Sequence, residues 1–237
     1  MKRLTQAILL SFVLASLVCG QSSPSALSGS AFDEPENHAI TIARLMRYHD
    51  SGEYDREIRE VANSARDYLE SRFPSGVSKD AKIAAVFDID ETSLSNWDVM
   101  AFCGFCSYPA QLQLYKDGPY SMDQDPAIPP VLELYNFAKK KGLAVFFITG
   151  RPESQREMTE ASLSAAGYSG WAHLYLQPDV PAGQPKPPAR IFKPKNRQEI
   201  EAKGYQIVLN IGDQASDLAG CCALRVFKLP NPFYLLP

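Results

Sequence analysis

Histidine is nearly absent from this chain: three residues in 237, His38, His49 and His173, none of which has a partner pattern for ligation. That argues against a histidine-built metal or acid–base centre. No basic run stands out either, Lys139-Lys140-Lys141 being what a helix C-terminus favours. With 24 Lys and Arg against 27 Asp and Glu, the formal charge is -3, and no basic stripe provides the footprint of a nucleic-acid polymer partner. The apolar run near the N-terminus, residues 7–18, falls short of the ~20 residues that a membrane helix needs. What remains, at 45% hydrophobic and 22% charged, is the composition of a soluble globular protein.

Residues 1–20 fit an export signal. Lys2 and Arg3 precede the apolar run, and the polar, turn-forming Gln21, Ser22, Ser23, Pro24 and Ser25 follow it. Val18-Cys19-Gly20 offers a peptidase site after Gly20. Lipidation of Cys19 is the minor alternative and the one route to a membrane, because Val18 stands where Gly, Ala or Ser is usual. The expected location is periplasmic or extracellular, with 21–36 a flexible tether and 37–237 the folded domain. In such a compartment disulfides persist. Cys103 and Cys106 form a C-x-x-C, and Cys221 and Cys222 are adjacent. Two disulfides or one zinc site are conceivable, although this spacing is not a familiar zinc pattern. The expectation is a Cys103–Cys106 loop disulfide, with Cys221 and Cys222 small buried residues near a strand.

Residues 83–87 are apolar without polar alternation, as in a strand buried on both faces of a parallel sheet. Further strands are expected at 143–148, 173–176, 206–211 and 223–229, and helices at 38–48, 54–72, 129–141, 152–167 and 195–203. The first two helices would pack on the sheet or form a lid. The alternation implies an α/β three-layer sandwich around a mostly parallel, Rossmann-like sheet. The aromatic-rich link 96–125 reads as a small cap insertion or binding loop, or as a satellite core.

Three strands end in polar clusters: Asp88 and Asp90, Thr149 and Arg151, and Asp213 and Asp217. Ligands of open parallel sheets sit at the carboxyl ends of strands, where strand order reverses. If the first strand is central, with the second and fourth beside it, the clusters share one crevice. Carboxylates crowded there repel one another, and an all-oxygen set selects a hard cation such as Mg²⁺. Phosphoryl transfer needs such groups. One carboxylate attacks phosphorus, a Thr hydroxyl and a Lys ammonium hold equatorial oxygens, and a second carboxylate protonates the leaving alkoxide. That second carboxylate would be kept protonated by its neighbours' charge.

FDIDET (Phe87 to Thr92), ITGR (Ile148 to Arg151), Phe192-Lys193 and IGDQASD (Ile211 to Asp217) resemble, in order, the four motifs of the haloacid-dehalogenase superfamily. Residues 51–69, 203–218 and 227–237 resemble its subfamily IIIB acid phosphatases: class C bacterial enzymes, lipoprotein-e-type nucleotidases and plant vegetative storage proteins. The resemblance implies Asp88 as nucleophile and Mg²⁺ ligand, and Asp90 as general acid/base with its backbone carbonyl on the metal. Thr149 and Lys193 would bind phosphoryl oxygens, and Asp213 would complete the metal site, with Asp217, one helical turn on, as a further ligand or a support just behind the ligands. Gly150 and Arg151 join the substrate-binding candidates, although Arg151 could instead pair with an acid. Trp97 is a candidate for nucleobase stacking, on aromatic richness alone. Pro194 follows Lys193 where the family pattern suggests Ser, and the cap offers no match that names a substrate.

The expected function is therefore a secreted, Mg²⁺-dependent acid phosphatase for small phosphomonoesters, nucleoside monophosphates being one candidate class. A storage or binding protein on the same scaffold is the alternative, against which the presence of Asp88 speaks. A phosphotransferase would share every residue. Oligomeric state is open.

Overall fold

The computed structural model describes residues 35–106, 111, 114, 125–181 and 184–236. The leader, most of the tether, and residues 107–110, 112–113 and 115–124 of the link lie outside them. Among the described residues no helix is long and apolar enough to cross a membrane.

Strand β1 (Ile83–Phe87) is central because its side chains feed two cores by turns. Ala85 and Phe87 enter the larger core, Ala84 and Val86 the smaller. Strands β2 (Ala144–Pro152) and β4 (Gln206–Gly212) flank it in parallel, with β3 (His173–Gln177) and β5 (Val226–Lys228) outside, in the order β3-β2-β1-β4-β5. On β2, Val145 and Phe147 face the larger core while Phe146 and Ile148 face the smaller.

Of the helices, α1 (His38–Asp50) precedes α2 (Glu53–Arg72), α3 (Trp97–Phe102) follows β1, and α4 (Pro129–Lys140) precedes β2. Then come α5 (Arg156–Ala165), α6 (Ala189–Ala202) and the single turn α7 (Ala215–Leu218). The larger layer is built by Tyr54, Ile58, Ala65 and Leu69 of α2, Val131, Leu134, Tyr135 and Ala138 of α4, and Leu163 of α5. On the opposite face α6 contributes Phe192 and Ile200. This is the expected three-layer sandwich. Helix α4 stops at Gly142, whose φ of +91° a side chain rarely adopts, and a Cβ there would lie 2.3 Å from the Val77 carbonyl oxygen.

Several elements depart from expectation. Helix α1 buries no residue and leaves Ile40 half exposed; Leu45 and Tyr48 alone of its apolar stripe lean on the core. β2 continues through Pro152 instead of giving way to a helix there, because Pro152 still pairs with Gln177 after a register irregularity. A strand end tolerates proline. β5 is three residues long. Helix α6 begins at Ala189, not Lys195, so Phe192 and Lys193 lie on its buried face and Pro194 sits inside it.

Phe147 is fully buried, stacked on Tyr135 and edge-on to Phe87, Tyr168 and Trp171. Phe147→Ala is expected to cost about 3–5 kcal/mol, read as a lower urea midpoint at unchanged m-value.

Candidate active site

Chain order reverses between β1 and β4, and both strands deliver a carboxylate at that edge. The Asp88 N–H donates to the Ile211 carbonyl at 3.0 Å, so β1–β4 pairing continues up to Asp88. Asp213 follows β4 directly. Asp217 is folded back by a capping box in which the Gln214 N–H donates to its Oδ2 at 2.8 Å. It then lies so close over Gly212 that a Cβ there would sit 2.5 Å from its own. Carboxylate oxygens of Asp88, Asp213 and Asp217 fall within 4.8 Å of one another, and all three residues are buried.

Lys193 reaches into this group from α6. Its Nζ donates to Asp88 Oδ1 at 2.5 Å and to Asp217 Oδ1 at 2.6 Å. Burial opposes its charge, yet the two carboxylates raise its pKa above the ordinary lysine value. Burial, then Asp217, pushes Asp88 well above the usual carboxylate range against the pull of Lys193. Asp213 is also raised, by burial and Asp217. One ammonium does not balance three carboxylates. Hard oxygen donors with charge left over fit a divalent cation, so Asp88, Asp213 and Asp217 could hold one.

Asp90 stands apart from that group. Its carboxylate accepts from Arg151 Nε at 3.0 and 3.2 Å, from Arg151 Nη2 at 2.6 Å and from Asn96 Nδ2 at 3.1 Å. Burial would raise its pKa, but the Arg151 charge and these bonds outweigh burial and hold it below the ordinary value. This corrects the expectation that neighbouring charge keeps Asp90 protonated: the neighbour that counts is a cation. Arg151 is itself buried and spans Asp90 and Asp125, the latter at 3.4 Å. Thr149 is buried too, its Oγ1 3.5 Å from Asp90 Oδ2. Gly150, exposed between two buried neighbours, has no described residue within 4 Å of a would-be Cβ.

A model of the HAD superfamily, subfamily IIIB (Acid phosphatase), matches residues 28–237. The chain belongs to that family. This subfamily IIIB chain is 33% identical to "Acid phosphatase 1" of Solanum lycopersicum over 188 residues, 77% of this chain and 69% of that protein. It is 36% identical to "Vegetative storage protein 1" of Arabidopsis thaliana over 64% of this chain, and spans 55% of that relative's length. The class C acid phosphatase structure from Bacillus anthracis superposes with a TM-score of 0.61 at 22% identity, over 83% of this chain and 86% of that one, a likeness of fold.

The site of this subfamily IIIB chain includes residues to which the sequence alone assigned no role. Thr92 Oγ1 lies 3.3 Å from Asp88 Oδ2 and donates to Asp213 Oδ1 at 3.1 Å. Gln214 and Asn231 both donate to Asp213 Oδ2. Arg197, buried one turn beyond Lys193, donates to the Asp217, Ala219 and Cys221 carbonyls. Its spacing from Lys193 was the available signal, a second cation on the same helix face. Trp97 packs against protein: its ring stacks on His49 at 3.5 Å and meets Phe105 and Phe233 edge-on. The Cys103–Cys106 bridge forms as expected. Cys221 and Cys222 are also bonded to each other; Cys221 is exposed and Cys222 half-buried against the smaller core, so neither is the fully buried thiol expected.

Glu91, fully buried at φ +53°, accepts from the Asn96 N–H at 2.5 Å. Burial pushes its pKa from 4.5 up to about 8. The folded state therefore holds a proton that the unfolded chain has released, and this contribution is lost as pH rises from 4.5 through about 8. In EDTA, Glu91→Gln is expected to flatten the fall in stability across that window by up to about 1.4 kcal/mol per pH unit, read from urea midpoints at each pH.

Proposed function

We propose that this chain is a secreted, Mg²⁺-dependent acid phosphatase that hydrolyses small phosphomonoesters through a phosphoryl group held covalently on Asp88. The observation that carries the reading is Lys193 bridging Asp88 and Asp217 within a carboxylate group too negative to stand alone. Family membership supports the same chemistry. The leader composition and the two cysteine bridges support export.

Each residue then has a task. Asp88, its rotamer set between Lys193 and Thr92, presents a carboxylate oxygen to phosphorus. Lys193 and Thr149 would hold phosphoryl oxygens, and the space at Gly150, clear of the described residues, would admit a phosphate close to the backbone. Mg²⁺ among Asp88, Asp213 and Asp217, with the Asp90 carbonyl, would supply the charge that lets an anionic ester approach an anionic nucleophile. Asp90 protonates the leaving alkoxide and then takes a proton from the water that cleaves the acyl phosphate. Because Arg151 holds Asp90 ionised, its acid role draws on an acidic medium, whereas its base role is ready at rest. That asymmetry supports an acidic optimum.

Phosphate release from AMP and glycerol 2-phosphate is the test. Turnover is expected to vanish in EDTA, to return with Mg²⁺, and to fall on the order of 10⁴-fold or more in Asp88→Asn. Full activity in that variant would displace Asp88 as nucleophile, and a folded wild type inert on a broad ester panel would favour the storage-protein reading.

Nucleoside monophosphates are proposed as one substrate class: Trp97 stands one residue beyond Asn96, a hydrogen-bond partner of Asp90, although His49 already covers one face of its ring and leaves a base the other. Trp97→Ala is expected to lower the kcat/KM ratio of AMP over glycerol 2-phosphate about tenfold, in line with the ~1–3 kcal/mol of base stacking. An unchanged ratio removes the nucleobase from the proposal.

A further inference from the structure

The segment after β5 reads in sequence as a proline-rich ending, yet it reaches the carboxylate group. β4 and β5 are parallel neighbours, paired up to Gly212 and Lys228, and the Leu229 N–H donates to the Gly212 carbonyl at 2.9 Å. Asp213 and Leu229 therefore leave the sheet side by side. Pro230 and Pro232 bracket Asn231 and restrict its backbone to extended conformations. Its side chain then does two things. Oδ1 accepts the Phe233 N–H at 2.8 Å and turns the chain, which places Phe233 against Tyr54 and Trp97. Nδ2 points the other way and donates to Asp213 Oδ2 at 2.6 Å.

Asp213 thus has unequal oxygens. Oδ2 is covered by Asn231 and by Gln214 Nε2 at 2.7 Å, while Oδ1 receives, among the described residues, a single bond, from Thr92. We infer that Asn231 is a positioning residue for cation binding: by holding Oδ2, it fixes the Asp213 rotamer and leaves Oδ1 to face Asp88 and Asp217. The inference rests on the divalent-cation reading of that group. Partners of this kind, one bond removed from the ligand atom, typically carry 10–100-fold in metal affinity.

Two variants separate the turn from the donor. Asn231→Ser keeps an oxygen able to accept the Phe233 N–H, but its shorter side chain leaves Asp213 out of reach. Asn231→Asp keeps the shape and the turn and sets a carboxylate oxygen against Asp213 Oδ2. The measurement is calorimetric titration of EDTA-stripped, full-length protein with Mg²⁺ alone, alongside its urea midpoint without metal. Asn231→Ser is expected to raise the Mg²⁺ Kd about 10- to 100-fold with a metal-free midpoint close to wild type. Activity at saturating Mg²⁺ should return towards wild type, so that the defect lies in the cation requirement and not in kcat. If the serine variant does not fold, the isosteric Asn231→Asp decides, with a Kd at least tenfold weaker expected. Wild-type affinity in either folded variant, or tighter binding in Asn231→Asp, would reduce Asn231 to a turn residue. A wild type that binds no Mg²⁺ would overturn the cation reading itself, an outcome distinct from equal binding by wild type and variant.

Discussion

Repulsion among three carboxylates held out of water is the constraint from which the rest of the site follows. Asp88, Asp213 and Asp217 come from two strand ends and one helical turn, and no apolar packing rewards their proximity. The fold tolerates them because it surrounds them with donors: Lys193 between two of them, Thr92 between two, and Gln214 and Asn231 on the third. Buried charge of this kind costs stability unless it is paired. The sandwich sets against that cost a core on each face of β1. A site that stores unfavourable charge is poised to bind what relieves it, and a divalent cation among Asp88, Asp213 and Asp217 would do so.

Two residues along the chain, Asp90 has the opposite surroundings. Burial acts on both Asp88 and Asp90, but Asp88 meets carboxylates and one lysine, whereas Asp90 meets the fork of a buried arginine. Their pKa values are therefore driven apart in opposite directions. Without a cation these directions run against the proposed roles, since a nucleophile needs its charge and a general acid its proton. A divalent cation beside Asp88 and an acidic medium around Asp90 would turn both the other way. Arg151 is better understood through this contact than as a group open to substrate, since it lies wholly within the protein.

Much of this was legible in the residues. Unbroken apolar runs identified β1 to β4, because a strand covered on both faces has no polar positions. The acid and hydroxyl clusters at their ends located the crevice, since only one strand order brings them together. What was not legible depended on long-range packing. Helix periodicity in α1 predicted a buried face, but among the described residues only Leu45 and Tyr48 lean on the core and none of the helix is fully buried. Pro194 suggested a later start for α6, whereas burial of Phe192 and Lys193 draws the helix back to Ala189. Asn231 carried no local signal of its role, and the helical spacing of Arg197 from Lys193 did not say what it would meet, because each acts on a carbonyl or carboxylate brought to it by the sheet. The adjacent cysteines were mistaken for core residues because burial of a small thiol depends on where its loop lies.

The partners in this site are remote in sequence: Lys193 and Asp88 are 105 residues apart, and Thr92 and Asp213 are 121. Neither contact can form until a long stretch of chain has been closed, and closures of that length slow folding. An early hairpin or helix pair would contain none of the finished geometry. A collapsed intermediate lacking β4 would carry Asp88 without Asp213 or Asp217 beside it. The site is consequently complete only when β1, α6 and β4 have come together, and its geometry reports those closures.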